Sequence, residues 1–234
     1  LVFKFGSLLF TIIIARILMP EKMGLYSLAL STIVLFSSFS DFGISAAAIT
    51  FCSKKLSLGE QGKAKGYLKK LLRWKIYLIS ITLAVLIISA YFIAEYYYGK
   101  PIFYALLVGS VYIPVVGIIG FLEKIFKSND NFRTPMTKEI IMQTSRLFIV
   151  PLSIIFLLKL NLNNDILIML IFGSIMTTYL ISFFYLLFRA RTKLDFIKSR
   201  TENLDKSETK NLKNFIYPLV ATSMAGMFFG YIDT

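Results

Sequence analysis

Five ionisable side chains lie inside otherwise apolar runs of this sequence. Within those runs they are the side chains able to bind ions or charged ligands. A charge at the centre of a bilayer costs about 3 kcal/mol on insertion scales, so such residues usually face a bundle interior or a water-filled cavity. The five are Lys4, Arg16, Asp41, Arg146 and Asp233. We expect the three cations to bind an anionic substrate, and the two carboxylates to bind a coupling ion or to form ion pairs.

The depth of each charge follows from the helical rise of about 1.5 Å per residue. Lys4 and Asp41 fall at about the same level, roughly 21 and 24 Å below the outer boundary, which favours an ion pair between them. Arg146 lies near mid-membrane, and the alternative to substrate binding is a pair with Asp41 or with helix-end carbonyls. Arg16 lies near the outer boundary, where it can extend to lipid headgroups or contact Asp233.

The balance of these charges favours a phosphorylated substrate, because a guanidinium group binds phosphate through two parallel hydrogen bonds. The sequence has no histidine and only one cysteine, Cys52. Histidine-based catalysis, histidine-ligated metals and an intrachain disulfide are therefore excluded. We expect no enzyme activity, no catalytic residue, no metal site and no cofactor, apart from a coupling Na⁺ or H⁺.

Transmembrane helices are the elements that must position these charges. Hydrophobic residues make up 56% of the chain, and a helix needs about 20 of them in a row to cross a bilayer. Seven apolar runs are present, at approximately 1–18, 25–51, 76–94, 102–122, 139–158, 166–188 and 215–234. The predicted fold class is an all-α integral membrane protein, a polytopic helix bundle. Prolines predict kinks in three of the runs: Pro114, Pro151 and Pro218.

The connections between the runs differ sharply in positive charge. Three of them hold eight, four and eight Lys or Arg residues: 52–75, 123–138 and 189–214. The other three hold one each: 19–24, 95–101 and 159–165. Because positive connections stay in the cytoplasm, we expect a multi-pass protein of the plasma or inner membrane with a cytoplasmic N-terminus. Topology thus accounts for the net charge of +13, and the expected partner is the lipid bilayer, not nucleic acid.

The longest polar segment divides the chain into two parts. We predict a six-helix N-terminal lobe over 1–188, a cytoplasmic inter-lobe loop over 189–214 and the start of a second lobe over 215–234. Both ends interrupt apolar runs, so we expect the chain to be part of a longer protein. The basic segment 57–75 fits either an amphipathic surface helix or an extension of the third span.

The stretches "ARILMPEKMGLYSLALS" and "FSDFGISAAAITF" resemble the N-terminal region of polysaccharide biosynthesis flippases. These form the oligosaccharide-exporting branch of the multidrug/oligosaccharidyl-lipid/polysaccharide exporter superfamily, with the pattern A-R-x-L-G-P-x-x-x-G-x-Y. Six positions match: Ala15, Arg16, Leu18, Pro20, Gly24 and Tyr26. Met19 stands where the family has glycine. Asp41 and Gly43 match a D-x-G element, and "FFGYIDT" resembles the opening of the second lobe.

The resemblance implies two six-helix lobes around a central cavity. Alternating access would carry a polyprenyl-diphosphate-linked oligosaccharide, such as an O-antigen repeat unit for lipopolysaccharide, from the cytoplasmic to the outer leaflet. Cavity cations would hold the diphosphate, and a polysaccharide polymerase and glycosyltransferases would be partners. Two relatives remain as alternatives, a cation-coupled multidrug exporter and a lipid II flippase. The short outer connections disfavour a membrane-embedded polymerase or glycosyltransferase.

Overall fold

The computed structural model describes residues 2–160 and 162–232, with side chains over 6–160 and 162–226. The regular secondary structure of this part is helical and contains no strand, as the composition predicts. The α-helices are α1 Val2–Ser38, α2 Ile44–Ser57, α3 Gln61–Tyr91, α4 Phe103–Gly109, α5 Tyr112–Ser128, α6 Arg133–Leu158, α7 Asn164–Lys193 and α8 Lys206–Ile232. A π-helical segment, Phe92–Tyr98, continues α3.

Four helical segments of the described chain are long and apolar enough to cross a membrane. They are Gln61–Tyr98, Phe103–Ser128, Arg133–Leu158 and Asn164–Lys193, and they correspond to the third to sixth predicted spans. Large apolar side chains on these segments point outward: Ile88, Phe148 and Phe188 are 81%, 66% and 67% exposed. Such faces suit contact with lipid tails, so the predicted polytopic membrane bundle is confirmed.

The three lysine- and arginine-rich connections meet at one end of the bundle. Lys65 donates a hydrogen bond to the carbonyl of Ser199 at 2.7 Å, and a cavity of about 490 Å³ lies between the end of α2 and the connection after α5. At the opposite end, the Asn164 amide lies 3.5 Å from the Glu21 carboxylate. We call the end formed by 52–75, 123–138 and 189–214 the basic side.

Lys55 ties two helices together on the basic side. Its ammonium group lies 2.8 Å from Glu60 and 3.2 Å from Glu208, at the start of α8. The hydrogen bond from Lys55 holds the pKa of the Glu60 carboxyl below its ordinary value. The beginning of α8 is therefore attached to the end of α2.

A single residue bends α1. Met19 has φ 61° and ψ 167°, whereas the residues on either side are helical. Phe10 and Tyr26 would be roughly 24 Å apart along a straight helix, yet both contact Arg146 of α6. The chain therefore turns within the predicted connection over 19–24, at Met19, but the connection is shorter than predicted because the helix resumes at Pro20, whose ring favours the first helical position.

Two predicted spans are interrupted. The second, 25–51, breaks at 39–43 between α1 and α2, where Gly43 adopts a positive φ of 79°. The fourth breaks at 110–111, because the Pro114 ring would clash with the carbonyl four residues earlier in a continuous helix. Pro151 and Pro218 lie inside unbroken helices.

Residues 61–75 of the basic segment 57–75 extend the third span. Helix α3 begins at Gln61 and runs without interruption to Tyr91. The extension of the third span is therefore the correct interpretation, and the separate amphipathic surface helix is wrong.

Replacing Met19 with glycine should stabilise the protein. The region that Met19 occupies is nearly confined to glycine and costs other residues about 1–3 kcal/mol. Glycine loses more backbone entropy on folding, so we expect a net gain of about 1 kcal/mol, read as a higher Tm in detergent. Met136→Gly is the control, because Met136 is similarly exposed, 67% against 71%, but lies in a regular helix. A fall in Tm for both variants would contradict the assignment.

Candidate functional site

The structure brings only some of the predicted site residues into view. Arg16 is exposed and forms no ion pair within the described residues. The Lys4 side chain and Asp233 lie outside those residues, so a contact between Arg16 and Asp233 stays a prediction. Asp41, expected to pair with Lys4, is bonded to Lys75.

Arg146 of α6 lies in an aromatic cluster. Its guanidinium carbon is 3.7 Å from the centre of the Phe10 ring, and the Tyr26 hydroxyl interacts with the same group. Behind them the Tyr112 and Tyr179 rings meet edge to face at 5.1 Å. Attraction to a ring face stabilises such a cation by roughly 0.5–2 kcal/mol.

Arg146 keeps unused binding capacity. Its Nε atom is buried and has no hydrogen-bond partner, and no carboxylate within the described residues forms an ion pair with it. The alternative pair with Asp41 is not formed, because that carboxylate binds Lys75. Arg146 therefore joins both halves of α1 to α6 and still has a donor free for an anion.

A second polar group surrounds Asp41, in the break between α1 and α2. Asp41 accepts hydrogen bonds from the Lys75 ammonium and the Ser45 hydroxyl, each at 2.5 Å. The Lys75 side chain is 2% exposed, whereas that of Asp41 is 42% exposed. The carboxylate also lies at the N-terminus of α2, where the helix dipole favours a negative charge. A buried cation is thus neutralised by a carboxylate that remains open on one side.

This pair borders a cavity of about 220 Å³. Lys124 of α5 adds a second ammonium group, and within the described residues it has no ion-pair partner. Helical spacing places Gly117, Gly120 and Lys124 on one face of α5, where Gly120 borders open space and Gly117 packs closely against Ile79. The remaining polar lining is Ser37, Ser40 and Ser45. Two cations and one carboxylate make this cavity suitable for an anion.

Helix α8 packs directly against the turn that carries Asp41. A Cβ atom at Gly43 would lie 2.6 Å from the Cβ of Leu219, so only glycine allows this approach. Phe51 and Phe215 make an edge-to-face contact at 5.4 Å nearby. Helix α8, which begins at Lys206 within the polar segment 189–214, is therefore coupled by contact to the cavity wall.

Lys75 and Lys124 are the site residues that sequence reasoning missed. Both lie in connections whose positive charge was counted as a topology signal. The position of Lys75 could have identified it from the sequence, because it immediately precedes the uncharged run 76–94. A lysine at that boundary faces either the headgroups or the bundle interior, and only packing decides between the two.

A further buried lysine joins α5 to α6. Lys138 lies 2.6 Å from Glu123 and 2.8 Å from Glu139, and Gln143 donates to Glu139 at 3.0 Å. One ammonium group thus serves two carboxylates. In the described part of the chain, no three His, Cys, Asp or Glu side chains are grouped closely enough to hold a metal.

Removing the charge of Asp41, and with it the ion pair to Lys75, should destabilise the protein. Asp41→Asn leaves a buried ammonium without its counter-charge, and we expect the free energy of unfolding to fall by about 2 kcal/mol. This is less than the roughly 3–5 kcal/mol of fully buried pairs because Asp41 is partly exposed. Adding Lys75→Met should recover part of the loss, with a coupling energy of about 1–3 kcal/mol in unfolding measurements.

The control for this double-mutant cycle at Asp41 and Lys75 is Asp130→Asn. It removes an exposed carboxylate that has no ion pair among the described residues. Its free energy of unfolding should stay within about 0.5 kcal/mol of wild type. Strict additivity of the two substitutions at Asp41 and Lys75 would contradict the assigned pair.

The comparisons with known proteins agree with this architecture. The family model described as "Polysaccharide biosynthesis protein" matches residues 3–234 of the chain. No curated protein and no solved structure matches at the level of similarity required of a relative. The match covers almost the whole chain, and the helices are able to cross a membrane, so the protein is a multi-pass membrane protein of the matched family. The chain belongs to the polysaccharide biosynthesis protein family.

Proposed function

We propose that this protein moves a polyprenyl-diphosphate-linked oligosaccharide from the cytoplasmic to the outer leaflet of the cell membrane. The observation that carries the proposal is the cavity beside Asp41, whose wall holds Lys75 and Lys124 but a single carboxylate. A net positive cavity in an apolar bundle suits a diphosphate. Membership of the polysaccharide biosynthesis family supports a sugar-linked lipid as the molecule that contains this diphosphate.

The position of the cavity suits loading from one leaflet. Lys75 directly precedes the uncharged run 76–94, and Lys124 lies four residues, or roughly 6 Å, before the end of α5 at Ser128. Both ammonium groups are therefore close to the basic side, at the depth where lipid headgroups end. With the basic side in the cytoplasm, the diphosphate of a cytoplasmic-leaflet substrate reaches these lysines without crossing the hydrocarbon.

Binding of an anion at the cavity has a mechanical consequence in this proposal. A diphosphate between Lys75 and Lys124 competes with Asp41 for the Lys75 ammonium and loosens the turn at 39–43. Helix α8 packs on that turn through Gly43 and Leu219, so the start of the second lobe responds. The breaks at 39–43 and 110–111 supply the bending that alternating access requires.

The remaining assignments belong to the same proposal. Residues 1–188 form a six-helix lobe, 189–214 an inter-lobe segment and 215–234 the start of a second lobe, with the N-terminus in the cytoplasm. The protein acts as a transporter and not as an enzyme. Na⁺ or H⁺ is its coupling ion, and polysaccharide polymerase and glycosyltransferases are its neighbours in the pathway.

A cation-coupled multidrug exporter is the second candidate. The two carboxylates that share Lys138 favour it, because one ammonium group neutralises them only in part. Glu123 and Glu139 are then the groups that bind the coupling cation. A lipid II flippase differs from the first proposal only in the attached sugar.

A transport assay in liposomes tests these functions. The protein is reconstituted, and transfer of a labelled polyprenyl-diphosphate oligosaccharide between leaflets is measured beside ethidium efflux. Sugar-lipid transfer without ethidium efflux is the expected result, because the cavity repels cations. Ethidium efflux without sugar-lipid transfer would overturn the proposal and favour the second candidate.

Lys124→Gln should lower the transfer rate by roughly tenfold, the equivalent of one charge-assisted hydrogen bond of about 1.4 kcal/mol. Lys127→Gln is its matched control, because Lys127 lies one turn further along the same helix, is equally half-buried and does not line the cavity. Equal rates for the two variants would remove Lys124 from the substrate site.

Arg146 and Arg16 are tested in the same assay. We expect Arg146→Ala and Arg16→Ala to lower transfer while membrane insertion is unchanged, since each removes a guanidinium group that can bind diphosphate. Arg146→Lys keeps the charge but loses the planar donor pair, and it should remain impaired. Wild-type transfer by both alanine variants would show that neither arginine holds the substrate.

A further inference from the structure

The segment 199–204 lies across the first turns of α3. The Glu202 backbone N–H donates to the Gly62 carbonyl at 3.1 Å, and Lys65 donates to the Ser199 carbonyl at 2.7 Å. A Cβ atom at Gly66 would collide with the Glu202 carbonyl oxygen. Two glycines one turn apart therefore let this polar segment pack closely against the helix.

A cavity of about 310 Å³ lies between α3 and this segment. Its α3 wall carries Lys69, Lys70 and Arg73, which share one helix face by their spacing of three and four residues. The Glu202 carboxylate is the opposing charge, and it approaches Gly62, one turn before Gly66. The cavity is therefore strongly basic, with its one carboxylate toward the far end.

Two of the three cations are free to bind a ligand. Lys70 donates to the Thr209 hydroxyl at 2.6 Å and lies 5.9 Å from the centre of the Trp74 ring. Lys69 and Arg73 are exposed and form no ion pair in the described part of the chain. An ammonium and a guanidinium one turn apart match the oxygens of a phosphate group.

The depth of the cavity indicates where that phosphate comes from. Arg73 and Trp74 lie within roughly 5 Å of the uncharged run that begins at residue 76, and the headgroup layer of one leaflet is about 5–8 Å thick. Tryptophan is itself typical of this layer. Lys69 lies about one turn further out and reaches the layer with its long side chain.

We propose that this cavity binds the phosphate of an anionic phospholipid headgroup. Lys69 and Arg73 hold the phosphate, and the segment 201–204 closes the opposite wall, so the bound lipid fastens the polar segment to α3. The site is separate from the cavity beside Asp41 and does not depend on the proposed transport function. It makes the inter-lobe segment sensitive to the composition of the adjacent leaflet.

Trp74 is the only tryptophan of the sequence and serves as the probe. The protein is reconstituted in bilayers containing brominated phosphatidylglycerol or brominated phosphatidylcholine, and quenching of Trp74 fluorescence gives the relative binding constant of the two lipids. We expect the anionic lipid to be preferred by roughly tenfold, as two basic contacts allow. Lys69→Gln/Arg73→Gln should bring the ratio close to one.

Two further variants separate a built site from general surface charge. Arg191→Gln/Lys213→Gln removes two exposed cations that do not line the cavity and should keep the preference. Gly66→Ala keeps both cations but displaces the segment at Glu202, and it should lose the preference while helicity by circular dichroism is unchanged. Equal quenching by the two lipids in wild type, an equal loss in the two double variants, or full preference in Gly66→Ala would each overturn the proposal.

Inorganic phosphate distinguishes the two sources of the ligand. In excess, and compared with chloride at equal ionic strength, it should leave the quenching by brominated phosphatidylglycerol unchanged, because the lipid is anchored beside the site. Specific relief of quenching by phosphate would assign the cavity to a soluble phosphate compound and would overturn the lipid assignment.

Discussion

The ion pair between Lys75 and Asp41 is the interaction on which the basic half of the structure depends. An ammonium group whose side chain is 2% exposed remains charged in an apolar bundle only with a counter-charge in contact. That requirement holds the turn at 39–43 against α3 and fixes where α2 begins. Because α8 packs on Gly43 of the same turn, this pair contributes to the position of α8, together with the ion pair between Lys55 and Glu208.

Arg146 is also a cation inside the apolar bundle, but it is stabilised in a different way. It has no carboxylate partner within the described residues, and the face of the Phe10 ring and the Tyr26 hydroxyl contact its guanidinium instead. Aromatic contact stabilises a cation without consuming all its donors, so one Nε–H remains unpaired. A paired lysine near the basic side and an aromatic-bound arginine deeper in the bundle thus place positive charge at two levels.

The basic side contributes to the packing of the fold. Its cations hold the polar segment after α7 against α2 and α3, through Lys55 to Glu208 and Lys65 to Ser199. Gly62 and Gly66 let that segment approach the helix backbone. The basic residues of these connections therefore have three different roles: ion pairs within the fold, lining of a cavity and contacts to the polar segment after α7.

Sequence alone determined the helical class, the third to sixth spans and the clustering of basic connections at one end, because hydropathy and charge act locally along the chain. It placed a break at 19–24, where Met19 interrupts the helix, but it did not predict the break at 39–43, where the turn packs against α3 and α8. It identified Asp41 but not its partner Lys75, which is 34 residues away in the chain. Which charges meet in an apolar bundle is decided by helix packing, and that is a property of the tertiary structure.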